Sequence, residues 1–234
     1  MFCDMKLSSL SILIPAYKDE KTISTVIHRA LLAGRTYAKK FEIVVLNDAS
    51  PDRLSLILRT LKRTIPELRI VTHATNQGYG ETVKDLYYAG KNAWLFTAPG
   101  DYQIDPMELK KFVPYANTAD MIIGWRKERN DTQSRKRQSF VYNGLLKLLF
   151  GISVHDINSI RLMKRNIFKK RTIISSSAFV DAELTIGAIR DGFQVIETHI
   201  LHRNRTTRGA SGGKLKIIIP VIIDMFLYKL RNFV

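Results

Sequence analysis

Short, unbroken apolar runs alternate along this chain with longer stretches in which apolar residues recur every three or four positions. The runs are LSILIP from Leu10, FEIVVLND from Phe41, LRIVTH from Leu68, AWLFTAP from Ala93 and ADMIIGW from Ala119. They are short, rich in β-branched residues and apolar almost throughout, the pattern of parallel strands covered on both faces. Between them the spacing predicts helices over Glu20 to Leu32, Asp52 to Thr64, Glu81 to Gly90 and Pro106 to Tyr115. Pro106 suits the first turn of the last of these. Alternation of this kind predicts an α/β fold: a doubly wound, mostly parallel sheet with helices on both faces.

In such a sheet, ligands bind outside the carboxyl ends of the strands. The residues expected there are Pro15, Ala16 and Tyr17, then Asn47 and Asp48, His73, Asp101 and Arg126. The second half of the chain is less regular. Lys127 to Arg137 is highly charged without apolar periodicity and reads as a loop. Ser139 to Phe150 and Ala178 to Arg190 read as helices, QVIETHI from Gln194 as a strand, and His202 to Lys214 as a second basic, glycine-bearing loop. One domain over residues 1–214 with a C-terminal appendage over 215–234 is the simplest organisation.

Composition narrows the partners. A net charge of +16 on 234 residues favours a polyanion: nucleic acid, anionic lipid head groups or phosphorylated small molecules. Neither basic loop carries aromatic residues for base stacking, which argues against nucleic acid. The lone cysteine, Cys3, excludes an internal disulfide and fits a reducing compartment. The opening LSSLSILIPAY lacks the basic flank and small-residue cleavage site of a signal peptide and reads as a first strand. No stretch reaches the roughly 20 apolar residues of a membrane span. Leu215 to Leu230 comes nearest and is interrupted by Pro220 and Asp224.

Several motifs lie at the predicted strand ends. In LNDASPD, Asp48 is placed to accept hydrogen bonds from a ribose or a base edge, while Ser50 or Asp52 suits the cap of the next helix. NQGYGETVKD sets Gly78 and Gly80 before a helix, which establishes a tight turn and no more. Lys84, one turn in, faces either a phosphate or solvent. In GDYQIDP, Asp101 and Gln103 alternate on an extended segment and so project to one side, where oxygen donors suit a hard cation such as magnesium or manganese. The competing reading has Asp105 capping the helix at Pro106 while the others face water. Arg126, Arg129, Arg135 and Arg137, with Ser139, offer guanidinium forks and a hydroxyl to phosphate oxygens, or form a solvated charged loop. Asp181 and Glu183 sit in the first turn of a helix, where acidic residues are often only dipole partners.

Taken in order, these segments resemble the inverting nucleotide-sugar glycosyltransferases of family 2 with the GT-A fold, in the dolichol-phosphate mannosyltransferase and polyprenyl-phosphate glycosyltransferase branch. The likeness rests on ILIPAYKDEKTI, IVVLNDASPD, NQGYGETV, GWRKERND with SRKRQS, LLFGISVHDINSIRLMKR, FVDAEL and HRNRTTRGAS, and runs from about Ser11 to Ser211. It implies that Pro15, Tyr17, Glu20 and Asp48, with Gly78 and Lys84 of the glycine turn, hold the nucleotide. It implies Asp101 and Gln103 as ligands of a magnesium or manganese ion bridging the diphosphate. Arg126, Arg135 and Ser139 would receive the acceptor phosphate, and Arg205 or Arg208 would close over the donor. Asp181 and Glu183 fall where the family places acidic residues near the sugar, as candidate bases for a hydroxyl acceptor. The expected activity is sugar transfer from a nucleotide donor to a polyprenyl phosphate with inversion. A saccharide hydroxyl acceptor and a catalytically silent binding relative are the alternatives.

The sequence departs from the family pattern at three positions. Asn47 stands first in the D-D-x-S-x-D segment, Ile160 where glycine is usual, and Pro99 where D-x-D-x-Q begins. Pro99 removes one carboxylate, so metal binding is expected to be weak or to lean on Gln103, Asp105 and the diphosphate. The C-terminal segment, apolar and flanked by Lys and Arg, is expected either at an anionic membrane interface or packed on the domain. The former makes this a peripheral protein on the cytoplasmic face.

Overall fold

The structure is a computed structural model that describes residues 5–126, 133–169, 172–203 and 215–233. Seven strands form one sheet: β1 (Leu10–Ala16), β2 (Phe41–Asn47), β3 (Leu68–Thr72), β4 (Trp94–Thr97), β5 (Met121–Trp125), β6 (Arg161–Lys164) and β7 (Val195–His199). Their order is β3-β2-β1-β4-β6-β5-β7. All neighbours pair in parallel except β6, which runs antiparallel to both β4 and β5. The mostly parallel, doubly wound sheet is the architecture that the run-and-period pattern predicts.

Among the described residues six helices accompany it: α1 (Ile23–Tyr37), α2 (Leu54–Thr64), α3 (Gly78–Ala89), α4 (Gln133–Phe150), α5 (Val180–Arg190) and α6 (Leu215–Phe233). Alternate strand residues go to opposite faces, as a two-residue period requires. Ile12, Ile14, Ile43, Val45 and Phe96 bury against α1, α2 and the segment around Leu109 and Phe112. Leu13, Val44, Leu46, Leu95 and Met163 bury against Val83, Leu86 and Tyr87 of α3 and Val180 and Leu184 of α5. Gly34 lets the end of α1 lie against the Phe41 ring, where a Cβ would come within 2.3 Å of a ring carbon. The helix α1 runs five residues past the predicted Leu32.

Three further expectations are revised. Pro106 to Tyr115 is not one helix but two 3-10 segments, Pro106–Lys111 and Val113–Tyr115. The part of the charged stretch from Gln133 belongs to α4, so that helix begins six residues before the predicted Ser139, and 127–132 lie outside the described residues. The strand β6, absent from the sequence reading, fills the gap between β4 and β5.

The C-terminal segment is a helix with two apolar faces. Inward, Met225 and Tyr228 are buried with Leu146 of α4 and Phe179, Ala182 and Ile186 beside and within α5. The rings of Phe150, Phe179 and Tyr228 meet pairwise with centroids 5.8–6.3 Å apart. Asp224 accepts the backbone N–H groups of Ser176 and Ser177 at 3.2 and 3.0 Å, and Lys229 donates to the Leu149 carbonyl. Outward, Ile219, Ile222, Ile223, Phe226, Leu227 and Leu230 are exposed. Among the described residues no helix is long and apolar enough to cross a membrane.

Candidate functional site

Because β1, β2, β4 and β5 are parallel, their carboxyl ends share one edge, and Tyr17, Asp48, Asp101 and Arg126 all follow those ends. Strand order reverses between β1 and β4, the switch point at which such sheets open a crevice. Gly100 brings the two lips together: a Cβ there would stand 2.8 Å from the Pro15 carbonyl and from the Asp19 carboxylate. The hydroxyl of Thr22 donates to the Gly100 carbonyl at 2.7 Å. Lys18, Ala49 and Tyr102 hold left-handed backbone, with φ of 60°, 51° and 59°. These three strained positions fall in the loops after β1, β2 and β4, so the strain is concentrated at this edge.

On one side of the crevice the turn before α3 hangs on Asp48, which is 3% exposed. Its carboxylate accepts the N–H groups of Gln77 and Gly78 at 2.8 and 2.9 Å, and its carbonyl accepts from the Asn76 amide. His73 Nδ1 lies 2.7 Å from Asp48, and His73 Nε2 lies 3.0 Å from Asp85. Tyr17 exposes its ring at the end of β1, with Lys18 Nζ 5.3 Å from the ring centre. Gly80 packs so closely on the Ser176 carbonyl that a Cβ would clash at 2.1 Å. Two further residues expected on the nucleotide, like Asp48, make contacts within the fold. Glu20 accepts the Arg53 N–H at the start of α2, and Lys84 pairs with Glu81 at 2.6 Å.

On the other side lies the loop after β4. Asp101 accepts the N–H of Gln103 at 3.1 Å, and the Gln103 carbonyl accepts the N–H of Arg203 at 2.8 Å. Asp105 is a cap and an ion-pair centre. It takes the Met107 N–H, the Tyr102 hydroxyl and the guanidinium groups of Arg29 and Arg203. Burial opposes its charge, but Arg29, the Met107 N–H and the Tyr102 hydroxyl outweigh burial and hold the carboxyl below its usual range. The Arg203 guanidinium also stacks over the Tyr102 ring at 4.5 Å. Asp105 is thereby withdrawn from metal binding, as the capping alternative has it. No cluster of three His, Cys, Asp or Glu side chains able to hold a metal is present among the described residues. One carboxylate and one amide, Asp101 and Gln103, still fit a magnesium-like ion that keeps waters and takes substrate phosphates as its other ligands.

Beyond β6 the edge carries two side-chain contacts that the sequence reading missed. Asp156 grips Arg126 through Nε at 2.6 Å and Nη2 at 2.7 Å. One residue back on each chain segment, His155 stacks on Trp125 with ring centres 4.0 Å apart and is held by Glu197 at 2.8 Å. Arg161, at the head of β6, is fully buried and lies 3.2 Å from Asp181. Its nitrogens also reach the Asp181 carbonyl, the Thr185 hydroxyl and the Ile157 carbonyl. The Asp181 carboxylate accepts from the hydroxyls of Tyr79 and Tyr87 at 2.9 and 2.6 Å. Desolvation at their hydroxyl ends, together with the Asp181 charge, pushes both phenols well above their ordinary range, so they remain neutral donors. Glu183 accepts the N–H groups of Ile174 and Ser175. Both acids are therefore spent on the fold, and service as a general base would require breaking these contacts. Arg135 and Ser139 fall on α4 with side chains outside the described ones, and Arg205 and Arg208 lie outside the described residues altogether.

Comparison with known proteins accords with this geometry. The model of the family described as Glycosyl transferase family 2 matches residues 11–172. An undecaprenyl-phosphate 4-deoxy-4-formamido-L-arabinose transferase of Edwardsiella ictaluri is 30% identical over 216 residues, covering 89% of this chain and 64% of the relative. A dodecaprenyl-phosphate galacturonate synthase of Rhizobium johnstonii is 25% identical, covering 95% of this chain and 68% of the relative. The chain thus spans about two thirds of the length of these two relatives. Among solved structures, glucosyl-3-phosphoglycerate synthase from Mycobacterium tuberculosis, in complex with manganese, uridine diphosphate and phosphoglyceric acid, has a similar fold. It has a TM-score of 0.72 at 16% identity and covers 95% of this chain and 78% of that one.

Proposed function

This chain belongs to glycosyl transferase family 2, and from that premise we propose that it moves a sugar from a nucleotide donor to a polyprenyl phosphate with inversion at the anomeric carbon. The observation that carries the reading is the shared edge: Tyr17 and Asp48 on one lip of a switch-point crevice, Asp101 and Gln103 on the other, and Arg126 beyond β6. Curated relatives named for undecaprenyl- and dodecaprenyl-phosphate substrates support the acceptor class.

In this reading Tyr17 and the Asp48-bound turn receive the base and ribose, and Asp101 with Gln103 would hold a divalent cation against the diphosphate. That ion, when bound, offsets the negative charge developing on the leaving group. Arg126, set by Asp156, meets the acceptor phosphate. An oxygen of that phosphate bonds to the anomeric carbon from the face opposite the nucleoside diphosphate, whose bond to that carbon breaks. A phosphate is already ionised, so the step needs orientation rather than a base. This is compatible with Asp181 and Glu183 being locked in the fold. Incubation with a panel of nucleotide sugars, manganese and short polyprenyl phosphates should yield a polyprenyl-phospho-sugar and nucleoside diphosphate. Failure to bind or turn over any donor would remove this reading and the hydroxyl-acceptor alternative together.

Two expectations follow for the reading's finer parts. Pro99→Asp restores a second carboxylate, and manganese affinity should rise about tenfold, as added ligand charge does in oxygen-donor sites. Unchanged affinity in a calorimetric titration would mean that residue 99 does not look into the metal position. The outer face of α6 is proposed to rest at an anionic membrane interface, six apolar side chains inserted and the basic surface toward the head groups. Phe226→Glu with Leu230→Glu should cut flotation with anionic liposomes more than tenfold, each buried apolar side chain being worth about 1.5–3 kcal/mol. Thermal stability should stay within about 0.5 kcal/mol, because neither residue enters the core. Undiminished flotation would dismiss the membrane role. Deleting the helix is a poorer test, since Met225, Tyr228 and Asp224 belong to the fold.

A further inference from the structure

His73 touches a carboxylate with each ring nitrogen. Nδ1 lies 2.7 Å from Asp48, which is buried, and Nε2 lies 3.0 Å from Asp85, which is half-exposed on α3. A neutral imidazole has one N–H and one lone pair, so it can serve only one of two carboxylates. Both contacts together require the imidazolium. The buried partner is the residue that holds the N–H groups of Gln77 and Gly78, and the other partner sits two turns into the helix which that turn begins. His73 itself is tied by its N–H to the Asn47 carbonyl, beside Asp48. The ring therefore joins the end of β2, the end of β3 and α3 through two charge-assisted hydrogen bonds.

We propose that His73 is a positioning residue: its imidazolium clamps Asp48 to α3 and so fixes the Asn76–Gly78 turn, which loosens when the ring gives up its second proton. The consequence for donor binding rests on the glycosyltransferase reading; the clamp itself does not. The charged groups facing the ring are Asp48 from the loop after β2 and Asp85 from α3, while Lys84, next to Asp85, is occupied by Glu81. Burial disfavours the charged ring, but the hydrogen bonds and negative charges of the two carboxylates prevail and raise its pKa above the ordinary value. The sign follows from linkage. A histidine raised on folding stabilises fully below its unfolded pKa, about 6.5, and the contribution is lost as pH rises through the folded value. Loss of the proton leaves Nδ1–H on buried Asp48 and turns a lone pair toward Asp85, which can swing into water. The turn then loses its tie to α3 and the positive charge beside Asp48.

The test uses the whole chain with labelled histidine. The His73 ring resonance should titrate above the ordinary value, and Asp85→Asn, an exposed and conservative change, should lower that midpoint. Amide exchange at Gln77 and Gly78, corrected for intrinsic pH dependence, should accelerate about three- to tenfold as the ring titrates, and at lower pH in the Asp85→Asn variant. His73→Gln should show the fast exchange at every pH. A ring that titrates at or below its ordinary value, or turn amides indifferent to it, would overturn the clamp. Uridine and guanosine diphosphates with manganese, titrated at pH 6 and pH 9, read the other question: binding should weaken severalfold more at pH 9 in the wild type than in His73→Gln. If the amides follow His73 but neither nucleotide binds at any pH, the clamp stands and the donor reading fails.

Discussion

Arg161→Met is expected to destabilise the protein by about 3–5 kcal/mol, the cost of stranding one member of a buried ion pair. Arg161 is wholly buried and Asp181 is 2% exposed, so solvent screens neither charge. Asp181 keeps the hydroxyls of Tyr79 and Tyr87, which soften the loss but carry no charge. At this chain length each kcal/mol is worth about 2–4 °C in melting temperature, so a fall on the order of 10 °C should be seen. Adding Asp181→Asn should recover part of the loss, since the amide oxygen still accepts from a tyrosine and no charge is left behind. The double variant should therefore cost clearly less than the sum of the singles, the signature of two residues in one network. A melting curve for Arg161→Met within 2 °C of the wild type would show that the pair does not hold α5 to β6. The Arg161 contacts bind that strand to α5, and Asp181 carries them on to Tyr79 and Tyr87 of α3.

Neither Arg161 nor its strand is legible in the sequence. RLMK offers two apolar residues between two cations, too short for a period and too charged for a buried strand. Arg161 tolerates complete burial only because Asp181, Thr185 and the Ile157 carbonyl surround it, and Asp181 lies twenty residues away with no local sign of the pairing. The same holds for Arg126, whose partner Asp156 comes thirty residues later. By contrast β1, β2 and β5 are plain, because a strand covered on both faces has to be apolar on both, and that writes itself as an unbroken run. The edge of the site is legible for the same reason: parallel strands put their following residues on one side, so Tyr17, Asp48, Asp101 and Arg126 could be grouped before any coordinates. What each grouped residue does depends on contacts between loops. Glu20 is one case: its carboxylate accepts the Arg53 N–H at the start of α2, a contact between loops that has no local sign in the sequence. The start of α4 was hidden by its own charges: Gln133 to Arg137 has no apolar spacing, yet it is helical.

Asp101→Ala is expected to lower kcat/KM by at least about a thousandfold, corresponding to roughly 4 kcal/mol of transition-state stabilisation at 1.36 kcal/mol per decade. The magnitude follows from how few oxygen donors the loop has. Pro99 contributes no side-chain ligand. Asp105 is not free to move in as a substitute, because Arg29, Arg203, Tyr102 and the Met107 N–H hold its oxygens. Gln103 alone brings no charge to offset that of a diphosphate leaving group. The loss should therefore appear in metal-dependent nucleotide binding as well as in turnover. In the wild type, manganese should strengthen nucleoside diphosphate binding at least tenfold; in Asp101→Ala it should do so less than twofold, while binding without metal is unchanged. Asp101→Asn, which keeps one oxygen and the turn contact to the Gln103 N–H, should fall between the two. Should Asp101→Ala turn over normally, with its manganese response intact, the diphosphate is handled elsewhere on the edge, and Arg126 with the basic residues that follow it becomes the place to look.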